Sequence, residues 1–116
     1  MKVHSWKTIP LEALSESISR QVIHTAKMTV SHIHLKKGAV VARHSHSNEQ
    51  ISVVEQGRLR FEFDSGSQVV EAGEMLEIPP DEPHLVEALE DSVAMDLFAP
   101  VREDWVRGDD AYLRGR

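Results

Sequence analysis

Gly38-Ala39-Val40-Val41-Ala42-Arg43-His44-Ser45-His46-Ser47-Asn48-Glu49-Gln50, running on to Gly57, is the stretch whose reading decides the fold. An apolar, β-branched run, Ala39 to His46, predicts a strand, and two histidines one residue apart close it. On a strand, positions i and i+2 share a face, so His44 and His46 can aim both imidazoles at one point. Two converging imidazoles begin a metal site. With no cysteine in the chain, any metal must be held by nitrogen and oxygen ligands.

Working outward, the chain punctuates itself into short strands. Toward the N-terminus, residues 1–10 predict a short strand ending at Pro10, Leu11 to Glu16 a single helical turn, and Ile18–Ala26 and Lys27–Leu35 two strands. Beyond the opening stretch, Ile51–Glu55 is followed by Arg58–Asp64, in which Leu59, Phe61 and Phe63 alternate with charged residues. That alternation gives one buried and one wet face. Ser65-Gly66-Ser67 predicts a hairpin turn into Gln68–Glu71. Met75–Ile78 leads into Pro79-Pro80-Asp81-Glu82-Pro83, a stiff loop that cannot continue a sheet. Strands over His84–Ala88 and Ser92–Phe98 come next. Pro100 is placed to start a short C-terminal helix through Trp105 and Val106, and the charged tail after Gly108 is expected to be loose. Many short strands at about ten-residue spacing predict an all-β sandwich or barrel.

Composition bounds the function. At 116 residues, 41% of them hydrophobic, the chain is expected to form a single globular domain, 1–116, around one core. A net charge of −6 argues against a nucleic-acid backbone as partner. No apolar run approaches the roughly 18–20 residues of a membrane span, and the first residues lack the apolar stretch of a signal peptide, so a cytoplasmic location is expected.

A third histidine, His84, enters its strand from the rigid proline loop, and could face the His-x-His pair across a barrel interior. For a fourth ligand the residues offer Gln50 and its neighbour Glu49, the carboxylate being the stronger donor chemically. A second pair, His32 and His34, competes for the metal, but Ile33 and Leu35 make the better core face of that strand. Asp96 stands in the middle of an apolar strand, where an unpaired carboxylate is costly. It therefore pairs with donors or faces a wet cavity, where it could carry protons.

These positions resemble the cupin superfamily. Its first motif, G-x5-H-x-H-x3,4-E-x6-G, matches Gly38, His44, His46 and Gly57, with Gln50 in place of the glutamate. Its second, G-x5-P-x-G-x2-H-x3-N, matches Gly73, Pro79 and His84, with Asp81 replacing the glycine and Ala88 the asparagine. The resemblance covers about residues 27–98. It implies a double-stranded β-helix, the cupin jelly-roll barrel, here with a short C-terminal helix and one divalent transition metal (Ni, Zn, Mn or Fe) inside. By spacing it selects Gln50 over Glu49. Three neutral imidazoles and a neutral amide leave the cation's charge uncompensated, which favours an anionic ligand.

The run Asp96-x-Phe98-x-Pro100-x-Arg102-Glu103-Asp104, together with His44-Ser45-His46-x-x-Glu49-Gln50-Ile51, is similar to KdgF-type cupins. These enzymes linearise 4,5-unsaturated uronates released by pectin or alginate lyases. The resemblance implies metal held by His44, His46, Gln50 and His84, catalysis by Asp96, and substrate contacts from Phe98 and Arg102. Read without it, Phe98 is a core residue and Arg102 an ion-pair partner of Glu103 or Asp104. The implied partner is a small anionic sugar. A homodimer that covers sheet edges is expected. A cupin dioxygenase with a redox metal, and a non-catalytic sugar-binding cupin, are the alternative functions.

Overall fold

The computed structural model describes residues 1–115, which form two antiparallel sheets packed face to face. Ten strands follow in chain order: β1 (Glu12–Ala13), β2 (Ile18–His24), β3 (Thr29–Leu35), β4 (Val40–His44), β5 (Glu49–Gln56), β6 (Arg58–Phe63), β7 (Gly66–Glu71), β8 (Met75–Ile78), β9 (His84–Ala88) and β10 (Ser92–Ala99). One short helix, α1 (Glu103–Val106), and a 3-10 turn, Ala111–Leu113, follow among the described residues. The larger sheet runs β1-β2-β3-β10-β5-β8 and the smaller β4-β9-β6-β7. This is the all-β cupin barrel that the motifs implied.

Strand alternation builds the interior. Leu59 and Phe61 of β6 are almost fully buried against the other sheet, as the sequence pattern required. In β3 the buried face is Thr29, Ser31, Ile33 and Leu35, so His32 and His34 point outward. The inward face changes character along the barrel. At one end Ile33 pairs with Ala94; one step on, Ser31 pairs with Asp96, and Thr29 with Phe98. Gln50 and Ser52 continue the polar end on β5, so the barrel has one apolar end and one polar end. The polar end holds the site.

Five local expectations are corrected. Residues 1–10 form no strand; they run as loop and turn, with Gln21 donating to the Trp6 and Ile9 carbonyls. Where a helical turn was expected after Pro10, Glu12–Ala13 pairs with β2 instead. β4 ends at His44, so His46 lies in the loop that follows rather than on the strand. The tail after Gly108 is packed rather than loose: Asp110 is 2% exposed and Leu113 4%. Leu113 is apolar enough to be drawn onto the barrel, and Asp110 is neutralised there by arginines. α1 begins at Glu103, after Arg102 as its N-cap, three residues later than Pro100 suggested.

Two motif positions show why their residue types are used. Gly57 has a φ of +80°, and a Cβ there would lie 2.4 Å from the Asp91 carbonyl oxygen, so only glycine fits. Asp81, at the motif's second glycine position, adopts a φ of 64°, a left-handed conformation that aspartate tolerates better than most residues. Its N–H donates to the His46 carbonyl at 2.8 Å, tying the proline loop to the loop that carries His46.

Candidate metal centre

Both sheets and one loop contribute to the site. On the smaller sheet, His44 at the end of β4 pairs in register with His84 at the start of β9. His46 reaches the same point from the loop before β5, and its ring lies 5.5 Å from that of Phe98 on β10. Gln50 on β5 faces Phe98 across the larger sheet, and Asp96 sits opposite Ser52. The ligand atoms of His44, His46 and His84 lie within 4.8 Å of one another, close enough for a single ion to bridge.

The rings are oriented by the main chain. Nδ1–H of His44 donates to the Ala42 carbonyl at 2.8 Å, that of His46 to Asn48 at 3.0 Å, and that of His84 to Glu82 at 2.8 Å. A carbonyl can only accept, so each Nε2 carries a lone pair free for a metal. His84 Nε2 is buried with no hydrogen-bond partner. An orphaned acceptor in the interior is costly unless something occupies it.

Gln50 supplies a second sign of a cation. Its Nε2–H donates to Asp96 Oδ1 at 3.2 Å, which turns its Oε1 toward His46 Nε2 at 3.0 Å. Those two atoms are both acceptors, with no hydrogen between them. Two lone-pair atoms held this close are suited to being ligands of one cation. Glu49, the rival candidate, is exposed, whereas Gln50 is buried. The residues therefore fit a metal bound by three imidazoles and one amide oxygen.

Electrostatics agree. Burial, against the opposing pull of the Ala42 carbonyl, pushes His44 down to about 3, with the charges of His84, His46 and Arg102 adding to it. Burial, followed by the charges of Arg102 and His84, lowers His46 to about 4. His84 is lowered by burial as well. All three are neutral at neutral pH, the form that binds metal. Burial raises the Asp96 carboxyl, with Ser52 and Gln50 pulling the other way.

Arg102 lines the same cavity but is only 1% exposed. Its guanidinium donates to both Asp104 oxygens, at 2.9 and 2.7 Å, and to the Tyr112 hydroxyl at 2.6 Å. It packs over the Phe98 and Trp105 rings, 4.7 and 4.3 Å from their centroids. The ion pair with Asp104 that the sequence offered as an alternative is thus present, and Phe98 is a buried core residue that also borders the cavity.

Sequence reasoning missed Tyr112 and Trp105, which border the cavity, and Asn48, whose side chain anchors the segment after β10 through the Pro100 and Val101 carbonyls. One signal pointed to Tyr112: it is the only tyrosine of the chain, set in a charged tail that gives an aromatic ring no other reason to be there. His32 and His34 stay outside the site. His32 stacks on Trp6 at 4.9 Å and bonds Glu55 at 2.6 Å.

The sequence profile of the Cupin domain family matches residues 31–99. No curated protein matches the chain. Among solved structures, an RmlC-like cupin from Shewanella frigidimarina is similar with a TM-score of 0.81 and 25% identity, over 88% of this chain and 93% of that one. KdgF from Halomonas sp. is similar with a TM-score of 0.80 and 28% identity, over 87% and 96% of the two chains. Oxalate decarboxylase from Bacillus subtilis, a protein with Mn(II) centres, shares the fold at 18% identity and a TM-score of 0.71, over 84% of this chain and 29% of that one. The profile spans more than half of the chain and includes the histidines gathered at the polar end of the barrel, and on that basis the protein belongs to the cupin family.

Proposed function

We propose that this protein opens the ring of 4,5-unsaturated uronate monosaccharides, products of pectin and alginate lyases, to the linear 4-deoxy-5-keto form. The observation that carries the reading is the chain of contacts from His46 through Gln50 to Asp96. It sets a buried carboxyl one residue away from a cation site without a carboxylate ligand. The likeness to KdgF from Halomonas sp. over nearly the whole chain supports it.

His44, His46, Gln50 and His84 would hold the metal, which supplies Lewis acidity toward the substrate carboxylate and the oxygen beside it. The substrate is a cyclic hemiacetal whose ring oxygen is also an enol ether. Ring opening breaks the bond from carbon 1 to the ring oxygen, the carbon 1 hydroxyl loses its proton, and an aldehyde forms. The released oxygen becomes an enol, which turns into a ketone when carbon 4 gains a proton. Atoms balance without any oxidant. Asp96 moves the proton, a role suited to a carboxyl whose hold on its proton burial strengthens and one typically worth about 10²–10⁴-fold in rate. Arg102 contributes positive charge to the cavity wall and binds the substrate carboxylate, with Phe98 shaping the floor beneath it.

Asp96→Asn tests the assignment. The variant is expected to retain metal, because Asp96 is not among the ligands, and to lose turnover. Full activity would remove Asp96 from the mechanism; loss of metal would make it a support of the site instead.

A further inference from the structure

The cavity beside the histidines measures about 50 Å³. At about 10–15 Å³ per water-sized sphere, it holds an ion and a few waters; sites for small organic ligands run to roughly 300 Å³ and above. The C-terminal segment covers part of it. The Tyr112 ring stacks on His44 with centroids 4.3 Å apart and planes 21° from parallel. Its hydroxyl accepts from Arg102 and, at 2.9 Å, from Trp105 Nε1. Leu113 borders the same cavity and is buried.

This cover is attached differently from the rest of the fold. It belongs to no sheet ladder, and it joins α1 through Gly108, whose φ of +78° is a conformation open to glycine and strained for other residues. Beyond the Tyr112 stacking and the burial of Leu113, its hold on the barrel is ionic. The Asp110 carboxylate accepts from Arg20 of β2 and, at 2.8 Å, from Arg114. Both arginines also reach Glu12 of β1. Arg20 and Asp110 are buried, so solvent screens their attraction little.

We propose that the turn Asp110–Leu113 is a gate over the metal centre, closing it with Tyr112, hinged at Gly108 and latched by Asp110 between Arg20 and Arg114. The gate follows from a metal at the three histidines and does not depend on the uronate reading. When it opens, Tyr112 leaves Arg102, and a guanidinium N–H becomes free for an incoming acidic group.

Cobalt exchange tests this without substrate. The purified protein is loaded with Co²⁺, and loading and release to excess chelator are followed by visible absorption, with folding checked by circular dichroism. A gate controls passage in both directions, so Asp110→Asn and Tyr112→Ala are each expected to accelerate loading and release together, by about tenfold or more, with Kd nearly unchanged. Arg43→Gln, which breaks an exposed pair with Asp64, is expected to exchange at the wild-type rate. Should Asp110→Asn fail to fold, Tyr112→Ala, which leaves the latch in place, decides alone. Wild-type rates in the folded variants, or faster release with unchanged loading, would overturn the gate. A wild-type protein that takes up no cobalt would instead overturn the metal reading beneath it.

Discussion

Acidifying the metal-free protein is expected to unfold it well before its carboxylates titrate. An imidazole's ordinary value is near 6.5, whereas burial holds His44 at about 3 and His46 at about 4. Between those values the unfolded chain binds protons that the folded one refuses, so stability falls as pH falls from the unfolded value toward the folded ones. At pH 5 the gap is about 1.5 pH units for each ring, or about 2 kcal/mol each, which gives about 3–4 kcal/mol for the pair after allowing for solvent at the cavity mouth. His84 adds in the same direction. Asp96 opposes it: its raised carboxyl contributes stability that is present at low pH and lost as pH rises. Asp96→Asn should therefore steepen the fall. Urea titrations at constant ionic strength measure it, the midpoint dropping by about 2 M between pH 7 and pH 5 for a slope of about 1.5 kcal/mol per M. Asp104 and Asp110, held below their ordinary values by arginine partners against the cost of burial, act only at lower pH and do not confuse this window. An unchanged midpoint, or an equal drop in a His44→Gln/His46→Gln double variant, would refute the reasoning.

Gln50→Glu adds the carboxylate ligand that the cupin motif usually carries. Metal affinity should rise by about tenfold or more in chelator competition, while the lost Nε2–H donor and the added charge weaken Asp96 and the binding of acidic ligands. A homodimer through the outer face of the larger sheet, rather than through the sheet edges expected from sequence, is a separate prediction: Val30, Ile51, Val53, Met95 and Leu97 are only partly buried there. Sedimentation should give a dimer, and Met95→Glu a monomer.

How much of this was legible in the sequence depended on how local each signal was. The two sheets were readable because strands such as Arg58–Phe63 state their buried face residue by residue. The gathering of His44, His46 and His84 was readable through spacing, although the reason first given for His44 and His46 does not hold. They converge because a loop, tied to Asp81, swings His46 inward, and not because they share a strand face. Gln50 over Glu49 was a matter of register, which the residues alone left open and the motif decided. The N-terminal segment and the C-terminal turn escaped because their positions come from contacts distant in sequence. Gln21 holds the first, and Arg20 with Arg102 the second. No local pattern announces that an aspartate ninety residues from an arginine will be buried against it.

The central claim is tested most directly by mixing the purified, metal-loaded protein with lyase-generated unsaturated uronate under anaerobic conditions and following the absorbance of the 4,5-double bond. Metal-dependent loss of that absorbance without oxygen is the predicted result. Binding of the uronate with no loss of absorbance, or a loss that requires oxygen, would contradict it.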